Sequence, residues 1–239
     1  MPHRTLSLEM VAARLHLSKE DVEQLVRRGE IPFDRQGDRV VFRQMELDAW
    51  ASQRLLGGTP ESVQKFHRKS SLKAHDLSLQ RAIIPELLKP SFIQPALASR
   101  TKAAVIRDMV QLADLTGLLY SVGDLFKSIE ARERLCSTAL PGGMALLHPR
   151  SPDPFISEDS FIVMGRTVQS LPFGAPDGGT TDLFFLLCSQ DEQIHLHVLA
   201  RLCTMCQRTR MIPALREAAE AAALYAILVQ AEEEIIRQL

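Results

Sequence analysis

Residues 181–189 read TDLFFLLCS, an extended run with apolar side chains on both of its faces. A strand of that kind must be covered from two sides, and helices laid over a sheet are the usual cover. The flanking sequence supplies them. ASRTKAAVIRDMVQLADLTG repeats its apolar residues at helical spacing, with Val105, Ile106, Met109, Val110 and Leu112 on or beside one stripe. SVGDLFKSIEARERL predicts a second helix, begun by Ser121 or Asp124, and DEQIHLHVLARLCTMC a third, with Asp191 near its N-cap. PALREAAEAAALYAILVQAEEEIIRQL supplies one or two more. GMALLH, entered from Pro141-Gly142-Gly143, and SFIVMGRTV are further strands. The fold class from about residue 85 onward is therefore α/β, a small sheet flanked by helices.

The rest of the 239 residues divides by charge. Residues 1–56 hold nine basic and nine acidic side chains, and residues 82–239 hold fourteen and eighteen. Between them, GGTPESVQKFHRKSSLKAHDLSLQR has five basic and two acidic residues, little apolar periodicity, and the Gly, Ser and Pro content of a linker. The expected organisation is an N-terminal domain at 1–56, a linker at 57–84 and a second domain at 85–239. A net charge of −1 favours neither nucleic acid nor an anionic membrane. No apolar run approaches the ~20 residues of a membrane span, and MPHRTLSLEM lacks the apolar core of a signal peptide. Cys136, Cys188, Cys203 and Cys206 sit in or beside apolar runs without framework spacing, which reads as buried free thiols. A cytoplasmic protein is expected.

The first compartment is short but patterned. SLEMVAARL places Leu8, Val11, Ala12 and Leu15 on one helical face, and Ser18 caps a second helix, KEDVEQLVRRG, which Gly29 stops. IPFDRQGDRVVF predicts a hairpin turning in Gln36-Gly37-Asp38, and RQMELDAWASQRLL a last helix. Helix, turn, helix, hairpin and helix is the order of a small winged helix-turn-helix. The stretch TLSLEMVAARLHLSKEDVEQLVRRGEIPFDRQGDRVVFRQMELDAW resembles the excisionase and MerR-type DNA-binding module. The matching residues (Ala12, Leu15, Gly29, Ile31, Pro32, Arg39, Leu47 and Trp50) are packing and turn residues, so they speak for fold before function. Lys19, Arg27, Arg28, Arg35 and Arg39 are candidates for clamping phosphates, whereas Glu20, Asp21 and Glu23 on the second helix oppose a phosphate backbone. DNA contact and a protein-binding or structural role both fit these charges.

The histidines sort by context. His3, His16, His67 and His75 fall at helix boundaries or in the linker. His148 closes the GMALLH strand, and His195 and His197 lie in the first turns of a helix, with His197 expected at an exposed rim. Three chemistries use such histidines. A zinc site wants four ligands at fixed spacing, and Cys203-x-x-Cys206 is a lone pair. A hydrolase needs a nucleophile elbow, and no Gly-x-Ser-x-Gly is present. A phosphohistidine carrier needs one presented ring, a second polar group and donors for the phosphoryl oxygens, without a nucleotide loop. No metal or organic cofactor is expected.

RERLCSTALPGGMALLHPR, followed by SFIVMGRTVQSLPFGAPDGGTTDLFFLLCSQDEQIHLHVLARL, resembles enzyme IIA of the phosphoenolpyruvate-dependent phosphotransferase system, of the fructose/mannitol and nitrogen-regulatory type. The resemblance runs over roughly residues 85–236. It implies an enzyme IIA-like mixed sheet and a phosphoryl group accepted by His148 from the carrier HPr. It also implies His195 as the supporting second histidine, with Arg150 at the place of a basic residue that follows the active histidine by two. Leu147 stands where the family has proline, and Pro149 removes the backbone N–H just after His148. The expected function is a regulatory phosphocarrier that couples phosphorylation of His148 to a regulated target protein or to DNA. A homodimer is plausible, with helix 43–56 and the C-terminal helix as its candidate contacts. The competing expectation is an enzyme IIA-like interaction protein without phosphotransfer.

Overall fold

The computed structural model describes residues 5–15, 17–37, 39–57, 82–152 and 155–238. The central part of the expected linker, and with it His67 and His75, lies outside the described residues, as do His3 and His16. Among the described residues no helix is long and apolar enough to cross a membrane.

The N-terminal unit comprises β1 (Thr5–Leu6), α1 (Leu8–Arg14), α2 (Lys19–Arg28), β2 (Asp34–Gln36), β3 (Arg39–Arg43) and α3 (Gln44–Leu56). Ser18 caps α2 in a full capping box with Asp21, each side chain bonding the other's backbone N–H. Gly29 ends that helix in the left-handed conformation, at φ 66°, which a residue with a Cβ adopts reluctantly. The hairpin is present, and β1 adds a third strand in the order β1-β3-β2. Val11, Leu15, Val22, Ile31, Phe42 and Leu47 form its buried centre.

The second unit opens with α4 (Ile84–Leu87) and a 3₁₀ turn, Pro90–Phe92, leading into β4 (Ile93–Leu97). Then come α5 (Lys102–Asp114), α6 (Val122–Leu135), β5 (Ala139–Leu140), β6 (Met144–Leu147), β7 (Phe161–Leu171) and β8 (Thr181–Cys188). Three helices finish the chain: α7 (Glu192–Arg208), α8 (Met211–Glu217) and α9 (Ala221–Arg237). The sheet order is β4-β7-β8-β6-β5, with β4 parallel to β7, β8 parallel to β6, and the other pairings antiparallel. The two-faced apolar run is β8, the central strand, and Leu183 to Leu187 are wholly buried. Fully burying an aliphatic or aromatic side chain contributes roughly 1.5–3 kcal/mol, so this strand anchors the sheet. β4 carries Pro95 and lies at an edge, where a missing N–H costs no ladder bond.

Gly142 and Gly143 turn the chain from β5 into β6 at φ 90° and 95°. A Cβ at Gly143 would run into the Arg216 guanidinium, which is clamped by Asp182. Far from that turn, Arg201 of α7 pairs with Glu232 of α9 at 3.3 Å, both side chains fully buried. The same carboxylate accepts the backbone N–H groups of Ile83 and Ile84, each at 2.9 Å, and so holds α4 against α9. Removing one partner of a buried pair strands the other charge, at a cost of about 3–5 kcal/mol. Glu232→Ala is therefore expected to lose about that much stability in urea denaturation. An undiminished midpoint would show that Arg201 finds other compensation.

Candidate functional site

Two parallel neighbours place the site. β6 and β8 run side by side and end together, Leu147 opposite Leu186. His148 is the first residue beyond β6, and α7 starts shortly beyond β8, with the Asp191 carboxylate capping the Gln193 and Ile194 N–H groups. His195, one turn into α7, therefore returns to the same sheet edge. The two imidazoles sit 4.9 Å apart between centroids, tilted by 52°. Loops beyond the carboxyl ends of strands are where α/β folds usually build their sites.

Hydrogen bonds define the tautomer of His148. Its Nδ1 lies 2.8 Å from the Leu146 carbonyl, which can only accept, so Nδ1 carries the proton. Nε2 is left with its lone pair, and it accepts from Arg132 Nε at 3.1 Å. Arg132 lies in the last turn of α6, its Nη1 donating to the Cys136 carbonyl at 3.1 Å and to Cys136 Sγ at 3.3 Å. Its Nη2 is buried and, among the described residues, without a partner. A guanidinium so placed offers a donor to any oxyanion that forms at His148 Nε2.

Burial sets the electrostatics. His148 is 1% exposed and His195 3%. Desolvation, with the neighbouring His195 and the Arg132 charge, holds His148 well below 6.5. Desolvation and Arg132 push His195 down to about 3. Both rings are neutral at neutral pH, the form in which an imidazole is a nucleophile. Above them, His195 Nε2 meets Ser52 Oγ of α3 at 3.4 Å. Beside that contact Arg14 holds Asp48 through Nε at 2.9 Å and Nη2 at 3.1 Å, and reaches Glu192 at 3.3 Å. Burial and the nearby Asp48 carboxylate raise Glu192 to about 8.

The expected site residues separate into groups. His148 and His195 meet as expected from the sequence. Arg150 is half-buried, its backbone N–H donating to Ser128 Oγ at 3.0 Å, and its Nε is buried without a partner among the described residues. Asp153, an acid three residues further along the chain, lies outside them. His197 is buried rather than at an exposed rim. The reason is that α7 is covered by α3, α8 and α9 together, and every residue from His195 to Met205 is buried. Cys188 and Cys203 are buried free thiols raised by desolvation, and Cys206, raised to about 11, is partly buried. Cys136 is half-buried at the end of α6, against Arg132. Among the described residues no three His, Cys, Asp or Glu side chains cluster as metal ligands. Of the candidate phosphate clamps, Lys19 pairs with Glu9 at 2.7 Å, Arg27 with Glu23 and Arg28 with Glu30, while Arg35 and Arg39 are exposed on the hairpin. The sequence reading missed Arg132, which is spelled like any helix-surface arginine, and the whole Arg14, Asp48, Ser52 and Glu192 cluster.

The site thus brings two neutral histidines together at the carboxyl edge of a mixed sheet, backed by an arginine. The chain belongs to the family described as phosphoenolpyruvate-dependent sugar phosphotransferase system, EIIA 2, which matches residues 86–231. Residues 5–55 match a helix-turn-helix domain. The fructose-specific EIIABC component of Bacillus subtilis is 28% identical over 62% of this chain, which spans only 23% of that protein's length. The nitrogen regulatory protein of Pseudomonas aeruginosa is 26% identical over 62% of this chain and 96% of its own. The crystal structure of nitrogen regulatory protein IIA-Ntr from Neisseria meningitidis superposes with a TM-score of 0.56 at 27% identity, covering 62% of this chain and 99% of that one. IIA mannitol from Escherichia coli shares the fold, with a TM-score of 0.51 at 17% identity over 59% of this chain and 98% of its own.

The depressed His195 fixes the sign of a pH effect. Its folded value lies below the usual 6.5, so its stability contribution is present above about pH 6.5 and is lost as pH falls towards 3. Buried Glu192, Asp48 and Glu232 are shifted upward and act in the opposite sense. A difference measurement removes them. Between pH 7 and 5.5 the wild type should lose about 1 kcal/mol more than His195→Gln in urea unfolding. Equal losses would mean that the ring is protonated in the folded protein.

Proposed function

We propose that this chain is a regulatory phosphocarrier of the phosphotransferase system that accepts a phosphoryl group on His148 Nε2 from an HPr-type carrier. One observation carries the reading: His148 Nδ1 is pinned to a carbonyl while Nε2 keeps its lone pair beside a buried arginine with a spare donor. In-line attack forms the Nε2–P bond as the N–P bond of the donor imidazole breaks. A donor ring protonated on its far nitrogen leaves as neutral imidazole, and His148 keeps its Nδ1 proton on the Leu146 carbonyl. Arg132 Nη2 meets the phosphoryl oxygens, and neutral His195 lines the same pocket without competing for charge. Arg150 is a third candidate for those oxygens. The similarity to nitrogen regulatory proteins supports a signalling role over sugar transport by this chain alone.

The division of labour proposed is a helix-turn-helix unit at 1–56 and a phosphoryl unit at 85–239, acting in the cytoplasm on DNA or on a regulated protein, with a homodimer as the paired form. Arg35 and Arg39 on the exposed hairpin are the cations best placed to meet a duplex. A salt titration with random duplex tests this. Binding that weakens steeply with salt supports DNA, and none at low salt leaves the unit a protein binder. The near-complete burial of His148 favours a second reading, an interaction protein that has kept the fold without transfer.

Incubation with phosphoenolpyruvate, enzyme I and HPr separates the two. The first reading expects an acid-labile mass increase of one phosphoryl group, abolished in His148→Ala and slowed about 10²- to 10³-fold in Arg132→Gln, the usual cost of losing one oxyanion donor. No mass increase, or one that persists in His148→Ala, overturns it.

A further inference from the structure

The cover over His195, the ring beside His148, comes from the other unit of the chain. Asp48 and Ser52 are one turn apart on α3 and both are buried. Ser52 Oγ reaches His195 Nε2, and Arg14 bridges Asp48 to Glu192 in the first turn of α7. The Ser52–His195 and Arg14–Glu192 contacts both run from the helix-turn-helix unit to the helix that carries His195.

Transfer between histidines requires the reacting atoms to come within about 3–3.5 Å in line. A ring that is 1% exposed cannot meet the histidine of another protein in that way. Some element must move, and α3, which belongs to the other unit, is the one that can leave His195 without breaking the sheet. Its polar seam is a single guanidinium bonded to two acids and one long hydroxyl–imidazole contact, beside the apolar packing of α3 on α7. Interfaces between units of one chain open more readily than the core of either unit.

The charges give the movement a direction. A phosphoryl group adds about −1.5 to −2 charge at neutral pH. On the floor of the pocket Arg132 welcomes it. On the α3 side stands Asp48, whose partner Arg14 is already engaged, while Glu192, raised to about 8 by burial, is mostly protonated and adds little charge. Ser52 meanwhile occupies a nitrogen of His195, the ring that lies tilted against His148.

From this arrangement we infer that the helix-turn-helix unit is an autoinhibitory cap on the phosphoryl site, docked when His148 is unmodified and displaced when it carries phosphate. The inference rests on the phosphocarrier reading for its effector. Linkage makes the coupling reciprocal: docking weakens acceptance by the factor by which phosphorylation weakens docking. The displaced unit then presents the α1 and α3 surface that the docked form hides, so the phosphorylation state becomes a change in what the helix-turn-helix can bind.

The test uses the full chain and two variants outside the phosphoryl unit, Arg14→Ala and Ser52→Glu. Folding of each is checked by circular dichroism, so that either can stand in for the other. Carbethoxylation of His148 and His195 is followed by mass spectrometry, and phosphoryl uptake from phosphorylated HPr is timed in parallel. Both variants should label at least ten-fold faster than the wild type at His195 and take up phosphate at least ten-fold faster. Labelling no faster than the wild type overturns the cap. So does faster labelling with an unchanged rate of uptake. No uptake by any of the three proteins overturns the phosphocarrier reading instead, and the labelling rates then decide the cap by themselves.

Discussion

A single hydrogen bond, from Arg132 Nε to the unprotonated nitrogen of His148, organises the rest of the site. It requires the opposite nitrogen to hold the proton, and the Leu146 carbonyl secures that. It requires a cation inside a dry pocket, and the end of α6 supports one by letting the guanidinium bond the Cys136 carbonyl. Burial of both rings, with the Arg132 charge beside them, then keeps them neutral. The sheet serves this arrangement. Because β6 and β8 are parallel neighbours, the residue leaving one and the helix following the other arrive at the same edge.

Much of this was legible from local pattern. The double-faced run of β8 demanded cover on both sides, and the structure puts it at the centre of the sheet. Ser18, Gly29, Ser121 and Asp191 marked helix ends by chemistry that acts within a turn, and each is a cap. β4 was not legible, since Pro95 breaks a strand pattern that only an edge position permits. His197 was misplaced for a related reason. Two histidines two residues apart suggest one inward and one outward ring only if the helix has an outward side.

The clearest omission is the seam. Arg14 and Glu192 are separated by most of the chain, and nothing local distinguishes either from a solvated surface charge. Arg132 escaped notice in the same way, beside Arg134, which is exposed and pairs with Glu130 along its own helix. Two arginines with nearly identical neighbours differ in which face of α6 they occupy. Periodicity ranks faces by their apolar residues and is silent about a charge that tertiary contacts bury.

The shared guanidinium also bears on how such a two-unit chain can be assembled and dissected. Glu192 belongs to the EIIA unit by sequence but takes its hydrogen-bond donor from the other one. A helix-turn-helix exchanged for one lacking an arginine at position 14 would leave Asp48 and Glu192 buried without the donor they share. The two modules are thus bound to co-vary at a handful of positions that neither module's own fold specifies. An EIIA unit cut away and studied alone would bare His195 and Glu192 to water. It would then report a surface that the joined chain keeps covered.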